Sequence, residues 1–161
     1  MSWLNQRVDD RLIHGQIVVA WGSALRFARL VVVDDEAAAS AWERDLLASA
    51  APDVRVRVLT VAEAAAAWAA EVPAPGGAML VVRDLRTARA LVEAGADIRA
   101  FTLGGLHHAP GKTTVNEYVY LDDADREDAR TLIRRGVRLE VQDVPATRPQ
   151  ALVSLDPSVR P

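Results

Sequence analysis

Short apolar runs alternate along the chain with longer segments rich in alanine and leucine. The apolar runs are typical of β-strands, and we expect seven of them, near the N-terminus (Trp3 to Val8) and at residues 30–33, 54–59, 78–82, 98–103, 117–121 and 137–144. The longer segments predict helices at residues 16–25, 36–50, 61–71, 84–94 and 123–135. Strand and helix therefore follow one another along most of the chain.

Local signals mark several of the predicted boundaries. Thr60 and Glu63 have the spacing of a capping box at the start of the helix 61–71. Gly95 and Gly136 follow two of the other helices, where a chain can leave the helical conformation. Residues 73–77 predict a turn, and residues 106–114 predict a longer loop.

This alternation predicts a single-domain α/β protein over residues 1–161, with a proline-punctuated C-terminal tail at 145–161. We expect a mainly parallel sheet of about seven strands with helices on both faces. Right-handed crossovers place all strand-to-helix loops at one edge of such a sheet. The loops after Val8, Val33, Val82 and Leu103 should therefore converge.

Composition narrows the class of protein further. Half of the 161 residues are hydrophobic, a quarter are charged and the formal net charge is -3, which indicates neither a nucleic-acid surface nor a polybasic membrane patch. The absence of cysteine excludes disulfides, thiolate catalysis and cysteine-ligated metals. No apolar stretch has the length of a membrane span, and the N-terminus lacks a secretory signal pattern. We expect a cytoplasmic protein, which would serve a membrane process by docking.

The candidate chemistry lies where the first strand gives way to the first helix. His14 has Gly15 beside it, which lets a ligand approach closely, and Gln16 begins a helix whose unpaired N–H groups favour an anion. Arg11 can bind phosphate oxygens in a bidentate manner. An imidazole, an arginine and a helix start together suit a phosphohistidine, with neutral imidazole as the nucleophile. The alternative is a histidine that only caps or packs at the helix start.

The residues around His14 allow two interpretations each. Asp9 and Asp10 could orient Arg11 or the imidazole N–H, or could form a helix-capping turn. Leu12 and Ile13 could form a docking patch for a partner, or could anchor the loop in the core.

A second group of candidates follows later strands. Gly104 and Gly105 could be a tight turn, or could line a phosphate pocket with N–H groups. His107 and His108 could form an acid–base or metal pair, although adjacent histidines in such a loop are more typical of solvated surface, as is Lys112.

Three further features give less support for a functional site. Asp34 and Asp35 are best explained as residues of a turn at a strand end, and a metal site there has weak support. Because nucleotide-binding glycine patterns are missing, we expect no cofactor, and no metal is required. Tryptophans lie at core-like spacing on three helices and are predicted to pack in the core: Trp21, Trp42 and Trp68.

The N-terminal run resembles the phosphorylation loop of the IIB subunits of the mannose/fructose/sorbose family of bacterial phosphotransferase systems. The run is Arg7-Val8-Asp9-Asp10-Arg11-Leu12-Ile13-His14-Gly15-Gln16, with Trp21 downstream. Residues 31–36 with 50–52, 103–105, and 135–142 with Pro145 are also similar to segments of that family. The chain departs from the family pattern at Thr102, where an asparagine is expected, and at Asp34, where the usual pair is Asn-Asp.

The resemblance implies a phosphocarrier enzyme. His14 would take a phosphoryl group from the phosphohistidine of a IIA partner and pass it to a sugar held by membrane IIC and IID partners. Arg11 would contact the phosphate, and Asp9, Asp10, Gly15 and Gln16 would support the loop. A second loop would contribute Thr102, Gly104 and Gly105, with the Thr102 hydroxyl replacing an amide.

Two other functions stay open from the sequence. A regulatory phospho-relay protein would use the same histidine without sugar transport. A phosphatase or mutase would need a further acid–base group in the pocket, for which His107 and His108 are the available histidines.

Overall fold

The computed structural model describes residues 3–71 and 76–161. The strands in this part of the chain are β1 (Trp3–Asp9), β2 (Arg29–Val33), β3 (Arg55–Leu59), β4 (Ala78–Val82), β5 (Ala100–Gly105), β6 (Thr113–Thr114), β7 (Tyr120–Leu121), β8 (Arg138–Val141) and β9 (Gln150–Ala151). The α-helices are α1 (Gly22–Leu25), α2 (Asp35–Ala39), α3 (Ala41–Ser49), α4 (Val61–Ala66), α5 (Trp68–Glu71), α6 (Leu85–Glu93), α7 (Asp123–Arg134) and α8 (Leu152–Leu155). A helix that could span a membrane, both long and apolar, is not found within these ranges.

Seven of these strands form one sheet in the order β3-β2-β4-β1-β5-β8-β9. All neighbours pair in parallel except β9, which is antiparallel to β8. The chain leaves β1 toward β2 on one side of the sheet and leaves β5 toward β8 on the other side. The carboxyl ends of β1 and β5 therefore flank a topological switch point, where open α/β sheets bind their ligands.

Each face of the sheet has its own apolar core. Along β2, Val31 and Val33 pack into one cluster with the helices α6 and α7, while Leu30 and Val32 pack into the other with Ile17. Alternate strand residues point to opposite faces, and both faces are covered by helices. The predicted α/β fold with a mainly parallel seven-stranded sheet is thus confirmed.

One predicted strand is not part of this sheet. Within residues 117–121, Tyr120–Leu121 pairs with Thr113–Thr114 in a separate two-stranded sheet. Both sides of β5 are already occupied by β1 and β8, so this segment meets the main chain of β5 only beyond its end, at a bridge between Leu106 and Val119. The seventh place is taken by β9, which lies in the segment predicted as a tail.

The predicted helices are present, but three are divided. The first begins as a π-helix, Gln16–Trp21, before α1. Ser40 has an extended backbone that ends α2 and caps α3, and Ala67 separates α4 from α5. The capping box of Thr60 and Glu63 is confirmed. The other two helices match their predicted bounds within one residue, while the predicted turn at 73–77 lies mostly outside the described residues.

The tryptophan predictions are correct in two cases and wrong in the third. Trp21 is buried, and Trp68 stacks on Trp3 with 4.5 Å between ring centroids. Trp42 is 70% exposed. It precedes Leu47, the buried residue of α3, by five positions, and at about 100° per residue it therefore lies on the opposite side of the helix.

The C-terminal segment 145–161 is integrated into the fold. It supplies β9 and α8, and the side chains of Leu152 and Val159 are completely buried in the same core as α7. Asp156 also accepts a hydrogen bond of 2.7 Å from Arg126 of α7. Packing and charge thus fix this segment against the body of the protein.

Truncating Leu152 should test this integration. We expect Leu152→Ala to lower the free energy of unfolding by about 2–5 kcal/mol, the range for a buried leucine. Leu46→Ala is the matched control because Leu46 is 52% exposed, and it should change stability little. Urea denaturation measures both variants. Equal, small effects would contradict the packing of the C-terminal segment.

Candidate functional site

The loop after β1 makes a tight and partly strained turn. The N–H of Asp10 donates to the carbonyl of Gly105 over 2.8 Å, and the N–H of Leu12 donates to the carbonyl of Asp9 over 3.0 Å. Leu12 has φ +55°, a left-handed conformation that costs a branched residue about 1–2 kcal/mol. The side chains of Leu12 and Ile13 are buried among the core residues. They anchor the loop rather than form an exposed docking patch.

Asp9 is the centre of the site and is fully buried. One carboxylate oxygen lies 2.9 Å from Nε2 of His14 and 3.2 Å from Nε of Arg7. The other oxygen accepts the N–H of Arg11 over 3.2 Å. A single carboxylate therefore orients the imidazole and the start of the loop, which is the supporting role considered for it from the sequence.

The charge state of Asp9 determines the tautomer of His14. Burial alone would raise the pKa of the Asp9 carboxyl, but the hydrogen bond from His14 and the charge of Arg7 outweigh it and hold the pKa below its ordinary value. An ionised carboxylate only accepts hydrogen bonds, so Nε2 carries the proton. Nδ1 of neutral His14 then has a free lone pair. In this tautomer Nδ1 is the ring nitrogen that can act as a nucleophile.

Arg7 is a site residue that the sequence analysis did not single out. Its side chain is completely buried, and it donates to the carbonyls of Gln142 and Asp143 over 3.0 and 2.9 Å. The guanidinium also lies 5.2 Å from the ring centroid of Trp21, whose Nε1 donates to the same Asp143 carbonyl. Burial lowers the pKa of Arg7 and Asp9 opposes this effect, and arginine remains charged in proteins. The sequence offers no distinct signal for Arg7, because the same strand also contains the polar residues Asn5 and Gln6.

The glycine pair at the end of β5 makes room for this arginine. A Cβ atom at Gly104 would lie 1.8 Å from Nη2 of Arg7, and one at Gly105 would lie 3.2 Å from the Asp9 carboxylate. Both glycines are strand residues without positive φ, so the tight-turn interpretation is wrong. Whether their N–H groups line a phosphate pocket stays a prediction.

Thr102 does not reach the loop in this structure. Its hydroxyl accepts a hydrogen bond of 3.2 Å from the amide of Asn5, and its Cα pairs with that of Arg7. Three residues separate it from the end of β5, a distance of about 10 Å along a strand. The proposed replacement of an asparagine by the Thr102 hydroxyl therefore has no support from these contacts.

Arg11 lies at the exposed side of the site. Its Nη2 donates to Oε1 of Gln16 over 3.1 Å, its Nε lies 3.5 Å from the Asp9 carboxylate, and its side chain is 42% exposed. Beside it, a Cβ at Gly15 would have no described protein atom within 4 Å. Packing against the described residues therefore does not require glycine at position 15, and its role toward a ligand stays a prediction.

The loop after β5 reaches the same site through Asp10. The Asp10 carboxylate accepts the backbone N–H of His107 over 2.7 Å and faces its Nδ1 at 2.6 Å. His108 is exposed and makes an edge-to-face contact with Tyr120. Lys112 was predicted to be solvated, but its ammonium lies 2.6 Å from Asp125 and its side chain is only 21% exposed.

The loops after β2 and β4 also converge, as predicted. Arg83 donates to Asp34 over 2.7 Å, and Asp34 caps α2 by accepting the N–H of Ala37. Asp35 accepts the N–H of Val61. The two aspartates therefore have structural partners at this part of the sheet edge.

The fold and the site together define an α/β protein with a histidine, an arginine and a buried carboxylate at the topological switch point of its sheet. Residues 4–156 match the family model described as the PTS system sorbose subfamily IIB component. The chain belongs to this family of phosphotransferase-system proteins.

Several named proteins are similar to the chain. The N-acetylgalactosamine-specific phosphotransferase enzyme IIB component 1 of Escherichia coli K12 is 33% identical over 148 residues, which cover 91% of this chain and 93% of that protein. The mannose-specific EIIAB component of the same strain is 37% identical, but the match spans only 43% of its length. The crystal structure of the Escherichia coli N-acetylgalactosamine-specific IIB component 1 has a TM-score of 0.85 at 34% identity, covering 92% of this chain and 98% of that one.

Membership of the family confirms the predicted activity. The chain is a phosphocarrier of a sugar phosphotransferase system, an enzyme that accepts a phosphoryl group and passes it on toward sugar. Proteins of this family work with a IIA protein and with membrane IIC and IID subunits. A regulatory relay without transport is not favoured by these relatives.

Neutralising Asp9 should remove a pH-dependent part of the stability. The pKa of Asp9 is lower in the folded than in the unfolded chain, so its contribution is present above about pH 4 and is lost as the pH falls through the lower, folded pKa. In Asp9→Asn the charge of Arg7 stays buried without a counter-charge, and we expect a loss of about 3 kcal/mol at pH 7. The loss should shrink in acid.

Urea denaturation at several pH values measures this effect. Asp97→Asn is the control, because Asp97 forms an exposed ion pair with Arg99, and such pairs contribute little. An Asp9→Asn chain with the stability and acid sensitivity of the wild type would refute the role of the buried pair.

Adding one methyl group at Gly104 should displace Arg7. We expect Gly104→Ala to destabilise the protein by about 1–3 kcal/mol through overpacking. Gly22→Ala is the control, since its Cβ would lie no closer than 3.7 Å to a neighbouring atom. Thermal unfolding of the two variants gives the comparison, and a wild-type midpoint for Gly104→Ala would show that the guanidinium can move away without cost.

Proposed function

We propose that His14 is the residue that carries the phosphoryl group. It would take the group from the phosphohistidine of a IIA partner and pass it to a sugar bound by membrane IIC and IID partners. The single observation that supports this assignment most is the hydrogen bond of 2.9 Å between Nε2 of His14 and the buried Asp9. It fixes the ring and leaves Nδ1 as the nucleophilic nitrogen.

The first transfer needs no proton relay. The lone pair of Nδ1 forms the new N–P bond while the P–N bond of the donor breaks and its electron pair returns to the donor imidazole. The His14 ring then bears phosphorus on Nδ1 and a proton on Nε2, and is positively charged. The Asp9 carboxylate stabilises this cation and keeps the tautomer, as the aspartate of a catalytic triad does for its histidine.

Arg11 supplies the positive charge for the phosphoryl oxygens. Its guanidinium is held at one side by Gln16 and keeps a 42% exposed side chain with further N–H donors. A helix begins at Gln16 with Gly15 as its N-cap. The N–H groups of Ile17 and Val18 donate to the His14 carbonyl, so those of Gly15 and Gln16 are the ones that can face a ligand. Because phosphoryl transfer depends on positioning and on charge stabilisation, these groups can hold the migrating phosphoryl group in line.

The second transfer reverses the first at the same nitrogen. A sugar hydroxyl attacks phosphorus and its proton passes to water, while the N–P bond breaks and its electron pair returns to Nδ1 of His14. The carboxyl edge around residues 10–16 must therefore face each partner in turn. In this proposal the chain is cytoplasmic and docks peripherally on the membrane subunits, as one domain that includes the C-terminal segment.

Phosphorylation of the purified chain tests the assignment of His14. Incubation with phosphoenolpyruvate, the upstream phosphotransferase proteins and a IIA protein should add one acid-labile phosphoryl group, measured by intact mass. His14→Ala should take up none, and His108→Ala, which alters an exposed histidine outside the site, should be labelled normally. ³¹P NMR should assign the phosphorus to Nδ1.

Two results would contradict the proposal. Labelling of His14→Ala would show that another residue carries the phosphoryl group. Phosphorus on Nε2 would contradict the tautomer set by Asp9, because that nitrogen would first have to leave its carboxylate partner.

A further inference from the structure

We propose that His107 is a positioning residue for phosphoryl transfer, which holds the loop of His14 in its reactive conformation through the Asp10 carboxylate. This inference rests on the proposed role of His14 and adds a residue from a different loop. His107 follows β5 and lies 97 positions after Asp10, which belongs to the loop after β1. It does not act on the phosphoryl group itself in this proposal.

The contact is a two-point clamp rather than a single hydrogen bond. One Asp10 oxygen accepts the backbone N–H of His107 over 2.7 Å, and the other lies 2.6 Å from Nδ1 of the same residue. An ionised carboxylate only accepts, so Nδ1 of His107 donates. Two donors from one residue fix the carboxylate plane, in the manner of a bidentate pair. We call this contact the Asp10–His107 clamp.

The clamp extends the pairing of two neighbouring strands into their loops. β1 and β5 are adjacent in the sheet, and the N–H of Asp10 still donates to the carbonyl of Gly105 over 2.8 Å after β1 has ended. The side chain of Asp10 then reaches two residues further along, to His107. The clamp thus joins the loops after β1 and β5 at the solvent side of the topological switch point, where the side chains of Asp10 and His107 are 32% and 54% exposed.

The two consecutive aspartates hold the loop from opposite sides. Asp9 points into the protein and binds His14 and Arg7, while Asp10 points to the rim and binds His107. Between this pair and His14 the chain passes through Leu12 with φ +55°. A strained residue persists only where its surroundings hold it. Releasing the rim contact therefore allows the loop to relax and moves Arg11, the residue next to Asp10, away from its position.

Loss of the His107 side chain should affect the rate of phosphoryl transfer more than the stability of the protein. In His107→Ala the side-chain half of the clamp is lost while the backbone N–H of residue 107 can still donate to Asp10. We expect the single-turnover rate from phosphorylated IIA to His14 to fall about tenfold, less than the hundredfold that a 1 Å misplacement can cause. The apparent KM for IIA and the thermal midpoint should stay near the wild-type values. Stopped reactions resolved by intact mass give the rates.

Asparagine provides the conservative variant. Its side-chain amide nitrogen occupies nearly the position of Nδ1 in histidine, so His107→Asn keeps the donor to Asp10 and lacks Nε2. We expect His107→Asn to restore most of the rate that His107→Ala loses. His108→Ala is the matched control, since it removes the neighbouring imidazole and has no described contact with Asp10.

A double-mutant cycle adds a second test. If the imidazole of His107 acts through Asp10, the double variant Asp10→Ala, His107→Ala should transfer no more slowly than Asp10→Ala alone, because Asp10→Ala already removes the acceptor of both hydrogen bonds. Additive losses would overturn the proposal, as would a wild-type rate for His107→Ala. Failure of asparagine to restore the rate would also overturn it, since the missing Nε2 would then act directly.

The outcomes separate this inference from the proposed function. A wild-type chain that takes up no phosphoryl group at His14 would overturn both. Normal labelling of the wild type with an unchanged rate in His107→Ala would overturn the clamp alone and leave the role of His14 intact.

Discussion

The buried ion pair between Arg7 and Asp9 is the interaction on which the site depends. Two charges that are fully out of contact with water are costly unless their remaining donors and acceptors are satisfied. Here the arginine reaches two carbonyls at the end of β8 and lies over Trp21, while the carboxylate binds His14 and the start of the loop. The pair thus joins the central strand, its neighbours and the covering helix at one point. The imidazole of His14 is oriented because its partner, the Asp9 carboxylate, is itself held in one position by Arg7.

The position of the site follows from the sheet order. β1 and β5 are adjacent, and the chain leaves them in opposite directions, so their loops diverge and leave a crevice at the carboxyl edge. His14 and Asp10 come from one loop and His107 from the other. A histidine in this crevice can face one partner protein and then another without a change of fold, which suits a subunit that receives and delivers the same group.

Much of the fold could be predicted from the sequence because its signals are local. Apolar runs located the parallel strands, and capping residues such as Thr60 fixed helix starts. The strand at 117–121 was assigned to the wrong sheet, since pairing depends on which edges are already occupied. Within the candidate site, the position of His14 and Arg11 after the first strand could be predicted from their neighbours, and their roles stay predictions. Arg7 could not, because its partners at Gln142 and Asp143 lie far away in the sequence and bind through backbone carbonyls, which no residue type reveals.

The space above Gly104 limits which substitutions the protein can tolerate. The guanidinium of Arg7 fills the volume where any side chain at position 104 would begin. Substitutions at positions 7 and 104 therefore depend on each other. A larger residue at 104 becomes acceptable only after Arg7 has been replaced by a shorter residue, and an uncharged replacement leaves Asp9 with only the partly exposed Arg11 as a nearby positive charge. Single substitutions at positions 7, 9 or 104 are therefore expected to be less stable than the present combination. This epistasis among three residues protects the orientation of the histidine.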